Sequence, residues 1–408
     1  MQRPIYLDHH ATTPCDERVL DAMRPYFREE FGNAASRTHA YGWRAEAAVE
    51  RAREEVAAAI GAADPREIVF TSGATESDNL ALQGVLRARG TGELVISAIE
   101  HPAVSDTAHA LAREGFAVRV LPVDGEGLVD PAALEAAIAE RTALVSVIWA
   151  HGEIGAVQPI AELAARCRAR GVPFHSDAAQ AVGKLPVDVA RDGVDLLSFS
   201  AHKVYGPKGV GALYVRRQRP RLRLAPLLHG GGHEFGLRSG SLPVPLVVGM
   251  GAALRIAGAE REEEARRLLA LRERLLGRLG AALPGVRVNG PKDRRLPGNL
   301  HLSIEGVPAD ALLASCPELA FSTGSACASA RPEPSPVLVA LGLSPDRVRE
   351  GFRIGLGRET READVDRAAD VIAERAARLR AERVASLRPA GAATLPASQP
   401  SEPFRESR

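Results

Sequence analysis

Ile68-Val69-Phe70-Thr71-Ser72-Gly73-Ala74-Thr75-Glu76 passes from a β-rich triplet, through a turn of small residues, into a stretch with helical spacing that runs to Arg89. The same step recurs along the chain. Between about Glu67 and Val215, the apolar runs Ile68 to Phe70, Leu94 to Ile99, Val118 to Leu121, Leu144 to Trp149, Val172 to His175, Leu196 to Phe199 and Val210 to Val215 alternate with Ala-rich segments. Glu76 to Arg89 and Ile160 to Arg170 are two of these segments, and their apolar residues fall at helical intervals. Such alternation, with short Gly-bearing turns, predicts an α/β fold with a mostly parallel sheet covered by helices. Ligands of such sheets bind outside the carboxyl ends of the strands.

Beyond Val215 the pattern changes. Met250 to Leu279 reads as one long connecting helix, charged on one face and rich in Leu and Ala on the other. Gly298 to Ile304, Phe352 to Leu356 and the helical Glu362 to Leu379 predict a smaller α+β domain. The expected division is a large domain over 15–260 with a seven-stranded sheet, and a small domain over 1–14 and 261–382. Residues 383–408, rich in Ala, Pro, Ser and charge, read as a disordered tail.

Composition excludes several function classes. The 408 residues carry 52 Lys+Arg against 51 Asp+Glu, a net charge of +1, which leaves no bulk electrostatic case for nucleic acid or an anionic membrane. Four cysteines, Cys15, Cys167, Cys316 and Cys327, form no CxxC pair, which suits a reducing compartment. The opening MQRPIYLDHH lacks an apolar signal stretch, and no run reaches the ~20 apolar residues of a membrane span, so a cytoplasmic protein is expected. No His/Cys/Asp cluster has metal-ligand spacing, so no metal is expected.

Arginine supplies nearly all the positive charge, and the only lysines are Lys184, Lys203, Lys208 and Lys292. A guanidinium cannot serve as a Schiff-base amine, so few side chains here can do lysine chemistry. Lys203 stands just past an apolar run in Leu197-Ser198-Phe199-Ser200-Ala201-His202-Lys203, with Ser200 and His202 placed to bind a phosphate. It is the Schiff-base candidate, against the plain reading of a surface lysine. Ala74 and Thr75 open a helix whose N–H groups and partial positive charge suit a phosphate, although the segment also reads as an ordinary capped helix. Asp177, in His175-Ser176-Asp177-Ala178-Ala179-Gln180, suits either a protonated pyridine nitrogen or a helix cap. His101 follows Val95 to Glu100 and suits ring stacking, proton transfer or a structural role. Cys327 lies in Phe321-Ser322-Thr323-Gly324-Ser325-Ala326-Cys327-Ala328-Ser329-Ala330, where small residues suit a travelling nucleophile, whereas most cysteines are buried small hydrophobes. Arg353, in Gly351-Phe352-Arg353-Ile354-Gly355, could clamp a carboxylate bidentately.

Taken together and in order, these motifs resemble the cysteine desulfurases. The resemblance runs through YLDHHATTP at Tyr6 to Pro14, FGNAASRTHAYG at Phe31 to Gly42, FTSGATESDNLAL at Phe70 to Leu82 and HSDAAQAVGKLPVD at His175 to Asp188. It continues through SFSAHKVYGPKG at Ser198 to Gly209, GGGHEFGLRSGSLPV at Gly230 to Val244, STGSACASA at Ser322 to Ala330 and FRIGLGR at Phe352 to Arg358. The chain looks most like the group that supplies sulfur to iron–sulfur clusters. The resemblance implies a fold-type I transferase dependent on pyridoxal 5'-phosphate. In that frame Lys203 forms the internal aldimine, Asp177 pairs with the pyridine nitrogen, His101 stacks on the ring and Gln180 bonds the phenolic oxygen. Ala74, Thr75, Ser200 and His202 hold the phosphate, and Ser241 stands where the family usually has a Thr that reaches it across a homodimer interface. Arg353 binds the carboxylate of L-cysteine, and Cys327 takes the sulfur as a persulfide while L-alanine forms. The sulfur then passes to an acceptor protein, such as an iron–sulfur scaffold.

Two departures mark this chain. Where the family has Asn-Asn-Glu, it reads His151-Gly152-Glu153. Gly152 cannot reach the phenolic oxygen, so His151 or water is expected to substitute, or activity to be low, and an Asn at Gly152 is expected to raise turnover. The tail does not resemble the segment with which cluster-assembly members dock their scaffold. The rival readings are a selenocysteine lyase, another fold-type I enzyme such as an aminotransferase, and a low-activity sulfur-transfer partner. An aminotransferase needs no thiol like Cys327, and the retained Lys203, Asp177 and His101 argue for an active site.

Overall fold

The computed structural model describes residues 3–218, 221–324 and 334–387. In chain order its strands are β1 (Ile5–Tyr6), β2 (Ile68–Thr71), β3 (Glu93–Ser97), β4 (Ala117–Leu121), β5 (Thr142–Ser146) and β6 (Phe174–Asp177). They continue with β7 (Leu196–Ser200), β8 (Gly211–Val215), β9 (Val286–Val288), β10 (Asn299–Ile304), β11 (Leu319–Ala320) and β12 (Gly351–Gly355). Seven strands form one sheet in the order β2-β8-β7-β6-β5-β3-β4. The pairs from β7 through β6, β5 and β3 to β4 are parallel, and β8 alone runs against its neighbours β7 and β2. The seven apolar runs of the sequence are these strands.

Both faces of the sheet are covered, which is why every strand but β4, where Arg119 and Val120 stay exposed, is buried at each position. On one face, Val49 and Val56 of the helix Ala40–Ala59 join Val247, Met250 and Leu254 of the helix Val244–Ala282 against Phe70, Val145 and Phe199. On the other, Leu80 and Val85 of Ala74–Arg89 and Val104 and Leu111 of Pro102–Arg113 pack on Val69, Leu94 and Leu213. A second core lies on the antiparallel sheet β12-β10-β9, where Leu300, Leu302, Phe352 and Ile354 meet Leu275, Leu279, Val365 and Ile372. β1 pairs in parallel with β11 beside it.

The helix Val244–Ala282 joins the two cores. Its 39 residues extend about 58 Å at the α-helical rise of ~1.5 Å per residue. Val244 through Ala257 supply buried residues to the first core, and Leu268, Leu271, Leu275 and Leu279 belong to the second. The helix starts six residues before the Met250 expected from sequence, because Pro245 in its first turn lacks only an N–H that no helix could use there. The last helix, Glu362–Leu387, also overruns its expectation, so residues 383–387 are helical rather than part of a tail; residues 388–408 lie outside the described residues. No described helix is long and apolar enough to cross a membrane.

Because β2, β3, β5, β6 and β7 point the same way, their carboxyl ends form one edge. Gly73, His101, His151, Asp177 and Lys203 all follow or end these strands, and the edge gathers residues that lie more than a hundred positions apart in sequence.

Candidate active site

β2 ends at Thr71, and Ser72 and Gly73 turn the chain into the 16-residue helix Ala74–Arg89. No side chain caps this helix, and no atom lies within 4 Å of where a Cβ on Gly73 would sit. Thr71 Oγ1 bonds Ser77 Oγ at 2.8 Å, and Glu76 accepts from the Ser72 N–H at 2.8 Å. The first N–H groups of the helix thus face open space, with the positive end of its dipole behind them. Register brings Ser200 to the same place: Ser200 pairs with Gly211, and Gly211 with Thr71. A Cβ on Gly211 would come within 2.7 Å of Gly73 Cα, so glycine is what lets these strand ends close together. Ser200 Oγ is buried there without a hydrogen-bond partner. An unsatisfied buried hydroxyl costs about 1–3 kcal/mol, which a bound phosphate oxygen would relieve. His202 is partly buried, its Nδ1 3.1 Å from Thr12 Oγ1, and burial foremost pushes its pKa down to about 4. Its neutral ring adds one more polar contact beside Ser200.

β7 runs into the short turn Ala201–Lys203, where Lys203 Nζ donates to the carbonyls of His10 at 2.8 Å and Ala11 at 2.7 Å. The adjacent parallel strand β6 ends on Asp177, which is buried and accepts from the Ala179 N–H at 2.9 Å. Burial raises the Asp177 pKa, and the charges of His101 and Lys203 oppose that rise. His101 caps the helix Pro102–Arg113, its Nδ1 accepting from the Ala103 N–H at 3.1 Å, while the ring stays open to solvent on one side. Protein on its other sides lowers its pKa, and Asp177 works against that shift.

Two further acids, which the sequence reading missed, stand behind Asp177. Asp78 is fully buried, and burial followed by the Asp177 charge holds its carboxyl well above the usual range. Glu100 accepts from Ser97 Oγ at 2.6 Å and from the Ile148 N–H at 2.9 Å, and burial pushes its pKa up to about 8. Burial raises all three carboxyls, and Asp177 is the member beside the charges of His101 and Lys203, which oppose its rise. The available signal was an acid inside each of two otherwise buried runs: Asp78 on the inward face of its helix, and Glu100 directly before His101.

Arg353 reaches the site from β12. Its side chain is 4% exposed; Nη2 pairs with Asp8 Oδ1 at 2.6 Å, Nη1 donates to the Gly152 carbonyl at 3.1 Å, and Nε has no partner. Gln180 donates through Nε2 to the His10 carbonyl at 2.8 Å and accepts at Oε1 from Lys184 Nζ at 2.6 Å. A Cβ on Gly152 would lie 2.9 Å from Gln180 Nε2, so an Asn there must first displace that amide. His151 is not free to substitute for the absent side chain. Its Nδ1 accepts from the Glu153 N–H at 3.1 Å, its ring also bonds the backbone of Ile99, and burial pushes its pKa to about 3.

Glu153 is buried, with its pKa raised by that burial to about 7, and accepts from Ser335 Oγ at 2.7 Å. A Cβ on Gly324 would meet Glu153 Cδ at 2.7 Å. Gly324 and Ser335 flank a stretch that contains Cys327, which itself lies outside the described residues. Ser241 is exposed, and among the described residues no hydrogen bond ties it to the site; Arg238, three positions earlier, ion-pairs with Glu76 at 2.9 Å. Ala74, Thr75, His101, Asp177, Gln180, Ser200, His202 and Lys203 thus gather on or beside one sheet edge, and Arg353 comes to it from the second sheet.

The family model described as aminotransferase class-V matches residues 5–368. Cysteine desulfurase IscS of Anaeromyxobacter sp. (strain Fw109-5) is 54% identical over 377 residues, which cover 92% of this chain and 93% of that protein. Cysteine desulfurase of Homo sapiens is 52% identical over 366 residues, covering 89% of this chain and 80% of its own. A solved NifS-like protein superposes with a TM-score of 0.85 at 36% identity, covering 91% of this chain and 98% of that one.

Proposed function

The chain belongs to the class-V aminotransferase family, among its cysteine desulfurases, and on that premise we propose how its own residues carry the reaction. It is a pyridoxal-phosphate-dependent enzyme that takes sulfur from L-cysteine for acceptor proteins. The observation that carries the residue assignment is the strand-end edge, where Lys203 and Asp177 close adjacent parallel strands beside an uncapped helix start and the unpartnered Ser200 hydroxyl.

These residues fit the cofactor. Ala74, Thr75, Ser200 and His202 would hold its phosphate, Asp177 its pyridine nitrogen, Gln180 its phenolic oxygen and His101 one ring face, with Lys203 carrying it. When bound, pyridoxal phosphate supplies an electron sink for the substrate's α-carbon. Lys203 would move a proton at that carbon, and Asp177 as a carboxylate would hold the pyridine nitrogen protonated. Arg353 turns its guanidinium edge to the substrate carboxylate, in place of Asp8. The Cys327 thiolate attacks the substrate sulfur: the carbon–sulfur bond breaks, a sulfur–sulfur bond forms on Cys327, and the carbon left behind is protonated to L-alanine.

Further parts of the proposal have more distant support. The two cores support a large unit over 15–260 and a small one over 1–14 and 261–382. Exposed Phe27, Phe31, Tyr41 and Trp43 supply apolar area for a homodimer interface, across which Ser241 would reach the partner's phosphate. Cytoplasmic residence and delivery to iron–sulfur cluster assembly complete the reading. The test is to incubate cofactor-loaded protein with L-cysteine and measure alanine together with protein-bound persulfide. Wild type should yield both, Lys203→Ala neither, and Cys327→Ser should lose the persulfide and turnover. Full alanine production by Cys327→Ser would overturn the role given to that thiol.

A further inference from the structure

The Gln180 amide is engaged at both ends. Its oxygen accepts from Lys184 Nζ at 2.6 Å and from His10 Nδ1 at 3.1 Å. Its nitrogen donates to the His10 carbonyl at 2.8 Å, the same carbonyl that accepts from Lys203 Nζ at 2.8 Å. A continuous chain of hydrogen bonds therefore runs from Lys184 through Gln180 and His10 to Lys203. Amides can flip end for end, but an ammonium only donates. Reversing the amide would turn its NH2 group onto the Lys184 ammonium and its oxygen onto the His10 carbonyl. Lys184 and the His10 carbonyl therefore together fix which end of Gln180 faces Gly152, and the end they select is the nitrogen, 2.9 Å from where a Cβ on Gly152 would stand, with one hydrogen unspent.

We propose that Lys184 is a positioning residue for the cofactor site: by holding the Gln180 oxygen, it presents the Gln180 nitrogen as the donor to the cofactor's phenolic oxygen. This deepens the reading above and rests on Lys203 carrying pyridoxal phosphate. With glycine at 152 no neighbouring amide shares that contact, so the orientation of Gln180 matters more in this chain than where an asparagine stands beside it. A cavity of about 40 Å³, its walls mostly apolar but including His9, His10, Lys184, Tyr205 and Glu264, adjoins the lysine. Burial, then Lys203, push the Lys184 pKa down to about 7; Arg353 acts in the same direction and Glu264 opposes. His9, His10 and His202 also face its charge. The ammonium form, and with it the fixed amide, prevails below that pH.

The test compares cofactor-loaded wild type, Lys184→Met and Lys184→Arg below pH 7 by two readouts: the absorption maximum of the lysine-bound cofactor, and the dissociation constant for pyridoxal phosphate. Lys184→Met should shift the maximum and weaken binding by on the order of tenfold, the weight of one charge-assisted hydrogen bond. Lys184→Arg, which restores a donor, should recover both. In a Gln180→Ala background Lys184→Met should add nothing further. A wild-type spectrum and affinity in Lys184→Met, or the same loss without Gln180, overturns the proposal. If Lys203→Ala keeps the lysine-bound absorption of wild type, the underlying reading falls and the inference with it.

Discussion

Two regions of the site handle buried charge in opposite ways. Behind the sheet edge, Asp78, Glu100 and Asp177 crowd together, and protons on the first two take the place of counter-ions. Beside β12, Arg353 and Asp8 neutralise each other directly at 2.6 Å. Burial forbids bare charge in both places, and a carboxyl can escape by holding a proton whereas a guanidinium needs a partner. In the first arrangement burial raises every carboxyl, and only Asp177 has the charges of His101 and Lys203 to oppose that rise. In the second, on the role proposed for Arg353, an incoming substrate carboxylate would replace Asp8 without leaving the guanidinium unpaired.

The contrast breaks most visibly at Asp177. Asp177→Asn removes the carboxyl proposed to face the pyridine nitrogen, and alanine formation should fall by about two to three orders of magnitude in single-turnover assays. A loss smaller than about tenfold would mean that Asp78 or Glu100 takes over the charge. At the paired region, Arg353→Lys keeps the charge but loses the planar fork, and KM for L-cysteine should rise about ten- to a hundredfold with a smaller change in kcat. Between the regions lies Gly152, and overpacking against Gln180 should make Gly152→Asn lower kcat, by about tenfold. A gain in kcat would restore the expectation drawn from sequence. The last effect is on stability rather than on catalysis and concerns Glu100. In the folded chain it keeps its proton up to about pH 8, against 4.5 for the ordinary carboxyl, so stability is lost as pH rises across that interval. Denaturant midpoints of Glu100→Gln should lack this decline while staying close to wild type at its acid end.

The strand runs were legible because a sheet buried on both faces leaves its mark residue by residue, as in Leu94 to Ser97. The reversed direction of β8 was not legible: Gly211 to Val215 is buried at every position, and a fully covered strand looks alike in either direction. That Lys203 and Asp177 sit at the sheet edge could be read from sequence because each closes an apolar run. Asp78 and Glu100 could not, since their meaning depends on each other and on Asp177 across three separate elements. His151 misled for a related reason. Its type suggested a polar stand-in for asparagine, while its backbone partners at Glu153 and Ile99 appear only in three dimensions. The structure also exposed the cost of filling Gly152, because the Gln180 amide that blocks it lies 28 positions away.

The helix Val244–Ala282 is anchored by buried side chains at both ends, while the residues between Ala257 and Leu268 contribute none to either core. It acts as a beam clamped at two supports. Twist or translation imposed at one support is delivered to the other without a hinge to absorb it, so the cofactor-bearing sheet and the strand that holds Arg353 keep a common mechanical reference, and melting should be one cooperative event rather than two.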